Sequence, residues 1–174
     1  ITDGLAMGDV TDLSNFMGAV IDERAFAKHR AAIDRAHATS HLDVVAGGTY
    51  DDSVGYFVRP TIVESSDPTD EMFSTEYFGP ILGIMTADTL EEAIELQNAP
   101  DYGLTAGLHS LDADELELWL SKVQAGNLYV NRAITGAIVQ RQPFGGWKKS
   151  TVGSGTKAGG PSYLIALSDW EPVQ

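Results

Sequence analysis

The stretch Thr75-Glu76-Tyr77-Phe78-Gly79-Pro80 predicts a sharp turn at the entrance to a strand, and the rest of the chain is interpreted from it. It joins one carboxylate to two aromatic rings and ends in a Gly-Pro turn, with a polar loop before it (65–70) and an apolar run after it (81–85). A residue before proline is disfavoured in helical geometry, and glycine tolerates almost any backbone angle. We therefore expect Glu76 and Phe78 to be held at a sharp turn. On residue type alone, a solvated Glu76 and a core Phe78 are the simpler interpretation.

Length and composition indicate one globular domain. The chain has 174 residues, of which 43% are hydrophobic and 21% are charged, as is typical of folded domains rather than disordered chains. No apolar run approaches the ~20 residues of a membrane helix, and the start lacks a signal-peptide pattern. We expect a cytoplasmic location. Because the sequence opens with Ile1 rather than methionine, we also expect the numbering to begin inside a longer chain.

Charge and cysteine content exclude several classes of function. The net charge of −14 argues against nucleic acid and anionic membranes as partners, since both need a basic surface. The sequence contains no cysteine, which excludes structural disulfides, thiolate zinc sites and a cysteine nucleophile within these residues. His37 and His41 are spaced as a metal pair on a helix would be. No glutamate separates them as in a metalloprotease helix, so two solvated histidines and no metal site are expected.

Alternating helix and strand patterns predict an α/β fold. Asp22 caps a first helix, the pair Thr89 and Glu92 forms a capping box for a second, and Asp112 with Glu115 starts a third that Gly126 is expected to end. Predicted helices cover 23–37, 90–97 and the residues after 112; predicted strands cover 44–46, 56–63, 81–85, 104–109, 128–130 and 163–167. This order predicts a parallel sheet with flanking helices, and ligands beyond the carboxyl ends of its strands, at 132–146.

A glycine-rich segment at 146–160 raises the possibility of a phosphate-binding loop. Its spacing does not match a Walker loop, and Gly153-Ser154-Gly155 lacks the third glycine of a dinucleotide fingerprint. We interpret the segment as a loop whose glycines allow close backbone packing.

Three groups of motifs, in order along the chain, resemble one enzyme family. Glu-x-Phe-Gly-Pro at 76–80 resembles the signature of the NAD(P)-dependent aldehyde dehydrogenase superfamily, and 126–131 with 142–146 form a second match. The segments 132–139 and 157–164 look like its pyrroline-5-carboxylate (glutamate-semialdehyde) dehydrogenase branch. The resemblance covers nearly the whole chain. It implies that 1–174 is the C-terminal part of the catalytic domain, without the upstream nucleophile segment and Rossmann domain, and that 161–174 is a terminal strand and tail.

The resemblance also assigns roles to five residues. Glu76 would hold the nicotinamide ribose, because a carboxylate can accept two hydrogen bonds from a vicinal diol, and Phe78 would lie against the nicotinamide. Gly136 and Ala137 match a loop whose backbone N–H groups hold the substrate α-carboxylate, where small side chains let the main chain approach. Phe144 matches an aromatic wall along the substrate. On residue type alone, an ordinary turn at 136–137 and core packing of Phe144 remain alternatives.

The implied activity is the NAD-dependent oxidation of L-glutamate γ-semialdehyde, formed from 1-pyrroline-5-carboxylate, to L-glutamate in proline breakdown. This chemistry needs a thiolate nucleophile, an oxyanion hole, a hydride acceptor and a base for thioester hydrolysis. In the family, the cysteine, the base and the oxyanion asparagine lie N-terminal to the matched region. We therefore expect no catalytic residue among the 174, and no activity from them alone.

Two other interpretations stay open. The parent enzyme could act on another small-molecule aldehyde, or the chain could be a non-catalytic assembly module, as the missing nucleophile and the apolar run 163–167 suggest. A similar C-terminal region takes part in subunit contacts in the family, which implies a homo-oligomeric parent of unspecified size. The choice between NAD and NADP, and the presence of a fused proline dehydrogenase domain, are not determined by these residues.

Overall fold

The chain forms two compact units, residues 1–86 and 87–174. The computed structural model describes residues 1–135, 144–152, 164, 167–169 and 171. Helices and strands are present in both units, so the predicted α/β class is confirmed. Within the described residues, every helix is too short or too polar to cross a membrane.

The first unit is built on one long helix, α1 (Glu23–Ala38), which begins where the sequence predicts. Asp22 is its N-cap, and the Asp22 carboxylate accepts a hydrogen bond of 2.7 Å from the Ala25 N–H. The helix buries one face against the sheet. That face includes a histidine among apolar residues: Phe26, His29, Ala32, Ile33 and Ala36.

Five strands accompany α1, and their pairing is mixed. They are β1 (Leu42–Ala46), β2 (Tyr50–Asp51), β3 (Phe57–Val58), β4 (Thr61–Ser65) and β5 (Ile81–Ile84). β4 and β5 pair in parallel, as predicted, whereas β1 pairs with β4 in antiparallel fashion, and β2 and β3 form a separate antiparallel ribbon. The antiparallel β1 differs from the expected parallel sheet because no crossover helix lies between β1 and β4.

Pro60 divides the strand predicted at 56–63 into β3 and β4. Proline has no N–H to donate to a ladder, so the pairing is interrupted there. The next residue, Thr61, donates its N–H to the Pro80 carbonyl at 2.8 Å. This bond joins the end of the 75–80 stretch to the start of β4.

Among its described residues, the second unit contains two helices and four strands. They are β6 (Tyr102–Gly103), β7 (Thr105–Leu108), β8 (Asn127–Val130), β9 (Trp147–Lys148), α2 (Leu90–Asn98) and α3 (Ala113–Lys122). β7 and β8 pair in parallel across α3, as predicted, and β6 pairs with β9 in antiparallel fashion. Trp119 of α3 is 2% exposed and centres the core of this unit with Ile94, Ala106, Val123 and Ala125.

The predicted helix starts are confirmed, but one predicted end is wrong. The Thr89 hydroxyl accepts from the Glu92 N–H at 3.1 Å, and the Asp112 carboxylate accepts from the Asp114 N–H at 2.8 Å. Helix α3 ends at Lys122, before Gly126, because Val123 is already extended. Gly126 instead permits a close approach, since a Cβ there would lie 2.4 Å from the Gly145 oxygen. Most of the strand predicted at 163–167, and the glycine-rich loop beyond 152, lie outside the described residues.

Candidate functional site

Residues 75–80 form a loop between a short 3-10 helix (Glu71–Phe73) and β5. We call it the 75–80 loop. The Tyr77 ring enters the core and is 9% exposed, while the neighbouring Phe78 ring is 84% exposed. Phe78 has a φ of 56°, a left-handed conformation that is uncommon for residues other than glycine. The sharp turn expected from Gly79-Pro80 is therefore present, and it presents Phe78 to solvent instead of burying it.

Glu76 is also exposed on this loop. Its main-chain oxygen accepts a hydrogen bond of 3.4 Å from the Lys28 ammonium. Within the part of the chain that the structure describes, its carboxylate has neither a hydrogen bond nor an ion pair. An anchored backbone and a free carboxylate leave Glu76 able to accept hydrogen bonds from a ligand.

His29 of α1 lies directly beneath the loop and is completely buried. Its Nε2 is 3.0 Å from the Tyr77 carbonyl oxygen, so the ring must donate its Nε2–H to that oxygen. The backbone at Gly79 passes over the same ring. A Cβ at Gly79 would lie 2.1 Å from His29 Nε2, so only glycine fits there unless the ring moves.

A charged cluster anchors the residues that lead into the loop. The Arg35 guanidinium donates to both oxygens of the Asp70 carboxylate, at 2.7 and 2.9 Å, and His41 Nε2 lies 2.8 Å from Asp70 Oδ2. Asp70 also accepts from the Met72 N–H at 2.8 Å. The Arg35 hydrogen bonds hold the pKa of the Asp70 carboxyl far below its ordinary value. This two-point pairing fixes the 3-10 helix, and with it the start of the loop, to α1.

The cluster changes the interpretation of the two histidines. His41 contacts Asp70, and His37 Nε2 lies 3.0 Å from the Gly48 carbonyl oxygen. The expectation of two solvated histidines is therefore wrong. Each ring has a protein oxygen as its partner, because folding brings that oxygen to it. Across the described ranges, no three His, Cys, Asp or Glu side chains are grouped to hold a metal ion.

In the second unit, the carboxyl end of β8 leads into the predicted functional loop, and the parallel β7 ends beside it. Asn131 has a φ of 54°, and its side chain bonds the main chain of Ser110 at 2.8 and 3.0 Å. Arg132 lies 4.9 Å from the Tyr129 ring centroid and donates to the Thr135 carbonyl at 3.4 Å. These contacts order the segment up to residue 135. The predicted substrate residues Gly136 and Ala137 lie outside the described residues.

Phe144, the remaining predicted site residue, is half-buried in the second unit. Its neighbour Gly145 is held by Asn127, which is 5% exposed. The Asn127 amide donates to the Gly145 carbonyl at 2.6 Å and to the Leu104 carbonyl at 2.8 Å. A buried amide on β8 thus fixes the backbone beside Phe144. Glu76 and Phe78 share one loop of the first unit, whereas Phe144 belongs to the second.

Sequence reasoning missed three supporting residues: His29, Asp70 and Asn127. The spacing of His29, three residues after Phe26 and four before Ile33, places it on the apolar face of α1, and this signal was available. Asp70 and Asn127 gave no such signal, because their partners are distant in sequence.

Comparison with known proteins gives a family match over nearly the whole chain. Residues 2–171 match the model of the aldehyde dehydrogenase family. The 1-pyrroline-5-carboxylate dehydrogenase of Geobacillus sp. (strain WCH70) is 41% identical over 165 residues, which are 95% of this chain and 31% of that protein. The chain thus spans about a third of the length of the curated relatives it matches.

Solved structures of the same family are also similar to this chain. A 1-pyrroline-5-carboxylate dehydrogenase from Thermus with bound NAD matches with a TM-score of 0.85 and 34% identity, over 94% of this chain and 31% of that chain. The Delta-pyrroline-5-carboxylate dehydrogenase from Mycobacterium tuberculosis bound with NAD matches with a TM-score of 0.79 and 42% identity, over 94% and 30%.

Proposed function

The chain belongs to the aldehyde dehydrogenase family, and from this premise we propose that it is the C-terminal part of the catalytic domain of an NAD-dependent dehydrogenase that oxidises L-glutamate γ-semialdehyde to L-glutamate. The substrate assignment is supported by relatives named 1-pyrroline-5-carboxylate dehydrogenase at 41% and 40% identity, the second of them human. In this proposal the parent is a homo-oligomer that uses NAD. The cytoplasmic location stays a prediction.

One observation of geometry supports the cofactor assignment above all others. A carboxylate that has no partner among the described residues and an exposed aromatic ring stand two residues apart on a loop whose backbone is held by hydrogen bonds from Lys28, His29 and Thr61. Glu76 would accept hydrogen bonds from the ribose diol, and Phe78 would limit the orientations of the nicotinamide and exclude water from one side. NAD, when bound, supplies the hydride acceptor. The free carboxylate and the exposed ring fit this group.

The second unit would bind the substrate. Gly136 and Ala137 would offer backbone N–H groups to its α-carboxylate, and Phe144 would pack along its methylene chain. The support for this assignment is their place after the carboxyl end of β8, the edge where α/β sheets bind ligands. The hold of Asn127 on Gly145 would keep Phe144 in position.

No residue of this chain can form the thioester, because the sequence has no cysteine. We place the nucleophile, the base for thioester hydrolysis and most of the NAD-binding surface in residues outside 1–174. Within the chain, residues bind and orient; they do not attack the aldehyde.

Substitution of Gly136 by valine tests the substrate assignment in the parent protein. A branched side chain would keep the backbone from the α-carboxylate, so we expect a raised KM for glutamate semialdehyde and a smaller change for propanal, which has no carboxylate. Gly4→Val serves as a control, because Gly4 is exposed and a Cβ added there would have no other atom within 4 Å. Equal losses for the two aldehydes would favour a different aldehyde substrate.

The alternative is that the chain is a non-catalytic assembly module. The absence of a cysteine nucleophile from the sequence supports this alternative. Mass spectrometry of the natural protein separates the two. The 165 matched residues are 31% of one relative, which gives a parent of about 530 residues. A natural mass of 18.6 kDa would instead support a module without catalysis.

A further inference from the structure

His29 combines complete burial with a single hydrogen bond to the 75–80 loop. Its exposure is 0%, and its Nε2–H donates to the Tyr77 carbonyl at 3.0 Å. The other ring nitrogen, Nδ1, is buried and has no hydrogen-bond partner within the described residues. The ring therefore directs its Nε2–H donor at the loop.

That carbonyl belongs to the peptide unit immediately before Phe78. The plane of this peptide is the reference from which the φ of Phe78 is measured, so a bond to the Tyr77 oxygen restrains the direction of the Phe78 side chain. The same imidazole underlies Gly79, the residue on the other side of Phe78, since a Cβ there would come within 2.8 Å of three ring atoms. His29 thus contacts both flanks of the one residue in the loop with a positive φ.

The downstream end of the loop has its own anchors. The Thr61 N–H donates to the Pro80 carbonyl at 2.8 Å, and the Ile81 N–H donates to the Gly79 carbonyl at 2.9 Å. Neither bond reaches the Tyr77–Phe78 peptide. Removal of the His29 donor would leave the Tyr77 oxygen unpaired in a buried place, and the peptide would be free to rotate toward another partner.

We propose that His29 is a positioning residue: it holds Phe78 in its left-handed, outward-facing conformation, and through Phe78 it sets the orientation of the nicotinamide for hydride transfer. The second clause rests on the function proposed above, whereas the first does not. His29 acts through Phe78 and the Tyr77–Phe78 peptide, and it has no direct contact with substrate in this proposal.

The test compares three variants of the parent protein. His29→Leu fills a similar volume but has no donor, and His29→Gln restores an N–H at the position of Nε2. Ile33→Val is the matched control, because Ile33 lies one turn along the same buried face and is 1% exposed. Two readouts are taken on folded protein: hydrogen–deuterium exchange of peptides that cover 73–80, without any cofactor, and the ratio of NADH formation to ester hydrolysis.

We expect faster exchange at 73–80 in His29→Leu, with recovery in His29→Gln and no change in Ile33→Val. The ratio of NADH formation to ester hydrolysis should fall by about tenfold to a hundredfold in His29→Leu only, because a misplacement of ~1 Å can slow a reaction by about 10²-fold. Unchanged exchange in His29→Leu would overturn the proposal. So would an equal fall of both rates, since that result describes a residue needed only for folding.

Hydrogen–deuterium exchange tests the role of His29 independently of the proposed enzyme function. If the wild-type parent forms no NADH from glutamate semialdehyde, the proposed substrate is wrong. Faster exchange in His29→Leu, reversed in His29→Gln, would still support the hold of His29 on Phe78.

Discussion

At the scale of single residues, Phe78 combines a positive φ with an exposed aromatic ring. A non-glycine residue in a sparsely populated backbone region costs about 1–3 kcal/mol, and a large exposed apolar ring gains nothing from burial. Folding alone would favour the opposite arrangement, with the ring in the core. The contacts of Tyr77, Gly79 and His29 impose this one instead, which is the pattern expected of a residue kept for binding.

Glu76→Gln in the parent protein should separate cofactor positioning from nucleophilic attack. The substitution keeps the size of the side chain but removes the charge of its acceptors. A hydrogen bond to a charged group contributes about 1.5–3 kcal/mol, and the amide retains one acceptor, so we expect the lower end of that range. Since 1.36 kcal/mol is tenfold in rate, NADH formation should slow by roughly tenfold while ester hydrolysis is retained.

Glu117→Gln is the matched control for this prediction, because Glu117 is an exposed carboxylate on α3 in the second unit. Both rates should be unaffected there. A parallel fall of both rates in Glu76→Gln would identify Glu76 as a residue that orders the loop, and no fall in either would make its carboxylate merely solvated.

Gly79→Ala should destabilise the protein through a single clash. The added Cβ would lie 2.1 Å from His29 Nε2, inside a buried contact, and overpacking of this kind typically costs about 1–3 kcal/mol. Urea denaturation followed by circular dichroism measures the change. Gly4→Ala is the control, since nothing lies within 4 Å of its added Cβ, and its free energy of unfolding should stay close to that of the wild type.

At the scale of elements, local signals predicted most of the structure. The starts of α1, α2 and α3 follow from capping residues within four positions of each helix, so the sequence contains the whole cause. The antiparallel β1–β4 pair was not predicted, because strand pairing depends on the path of the connection between the strands. The predicted end of α3 at Gly126 is wrong, because glycine is needed there for the close approach of the Gly145 backbone and not for the helix end.

The cluster around Asp70 joins α1, the turn before β1 and the 3-10 helix, and Asp70→Asn tests its contribution. Asparagine cannot provide a charged, two-oxygen acceptor for Arg35, so we expect a loss of about 1.5–3 kcal/mol in the free energy of unfolding at neutral pH. Asp43→Asn is the control, because Asp43 is exposed on β1. A loss no larger than that of the control would show that water replaces the contacts of Asp70.

The same variant has a defined pH dependence. The pKa of Asp70 in the folded protein is lowered from its ordinary value of 3.8, chiefly by the hydrogen bonds from Arg35. The stabilisation is therefore fully present above pH 3.8 and is lost as pH falls below that value toward the folded pKa. Unfolding curves at several pH values should show the difference between wild type and Asp70→Asn narrowing below about pH 4. A constant difference would mean that the charge of Asp70 does not stabilise the fold.

At the scale of the whole molecule, the proposed function makes this chain one part of a catalytic domain. We expect purified 1–174 to form no NADH from glutamate semialdehyde, because no cysteine is available for the thioester. An absorbance assay at high protein concentration measures this, with the parent protein as the positive control. NADH formation by 1–174 alone would require a different nucleophile and would contradict the proposed mechanism.

The family and the sharp turn at Phe78 could be predicted from the sequence, since short motifs carry both. The family resemblance drawn from 76–80 and 126–146 is confirmed by the match over 2–171. The roles of Glu76, Phe78, Gly136, Ala137 and Phe144 stay predictions. The supports beneath them could not be inferred, because a bond such as Arg35 to Asp70 spans 35 residues, and a single sequence contains no record of such pairs.

The uneven distribution of tryptophan gives the two units different optical signals. Trp119, Trp147 and Trp170 all follow residue 86, whereas the first unit has none. Trp119 is buried and donates its indole N–H to Gln97 at 2.8 Å, while Trp147 is 50% exposed. Fluorescence excited at wavelengths that tyrosine does not absorb therefore reports on the second unit alone. An unfolding curve recorded in this way follows the second unit without interference from the 75–80 loop.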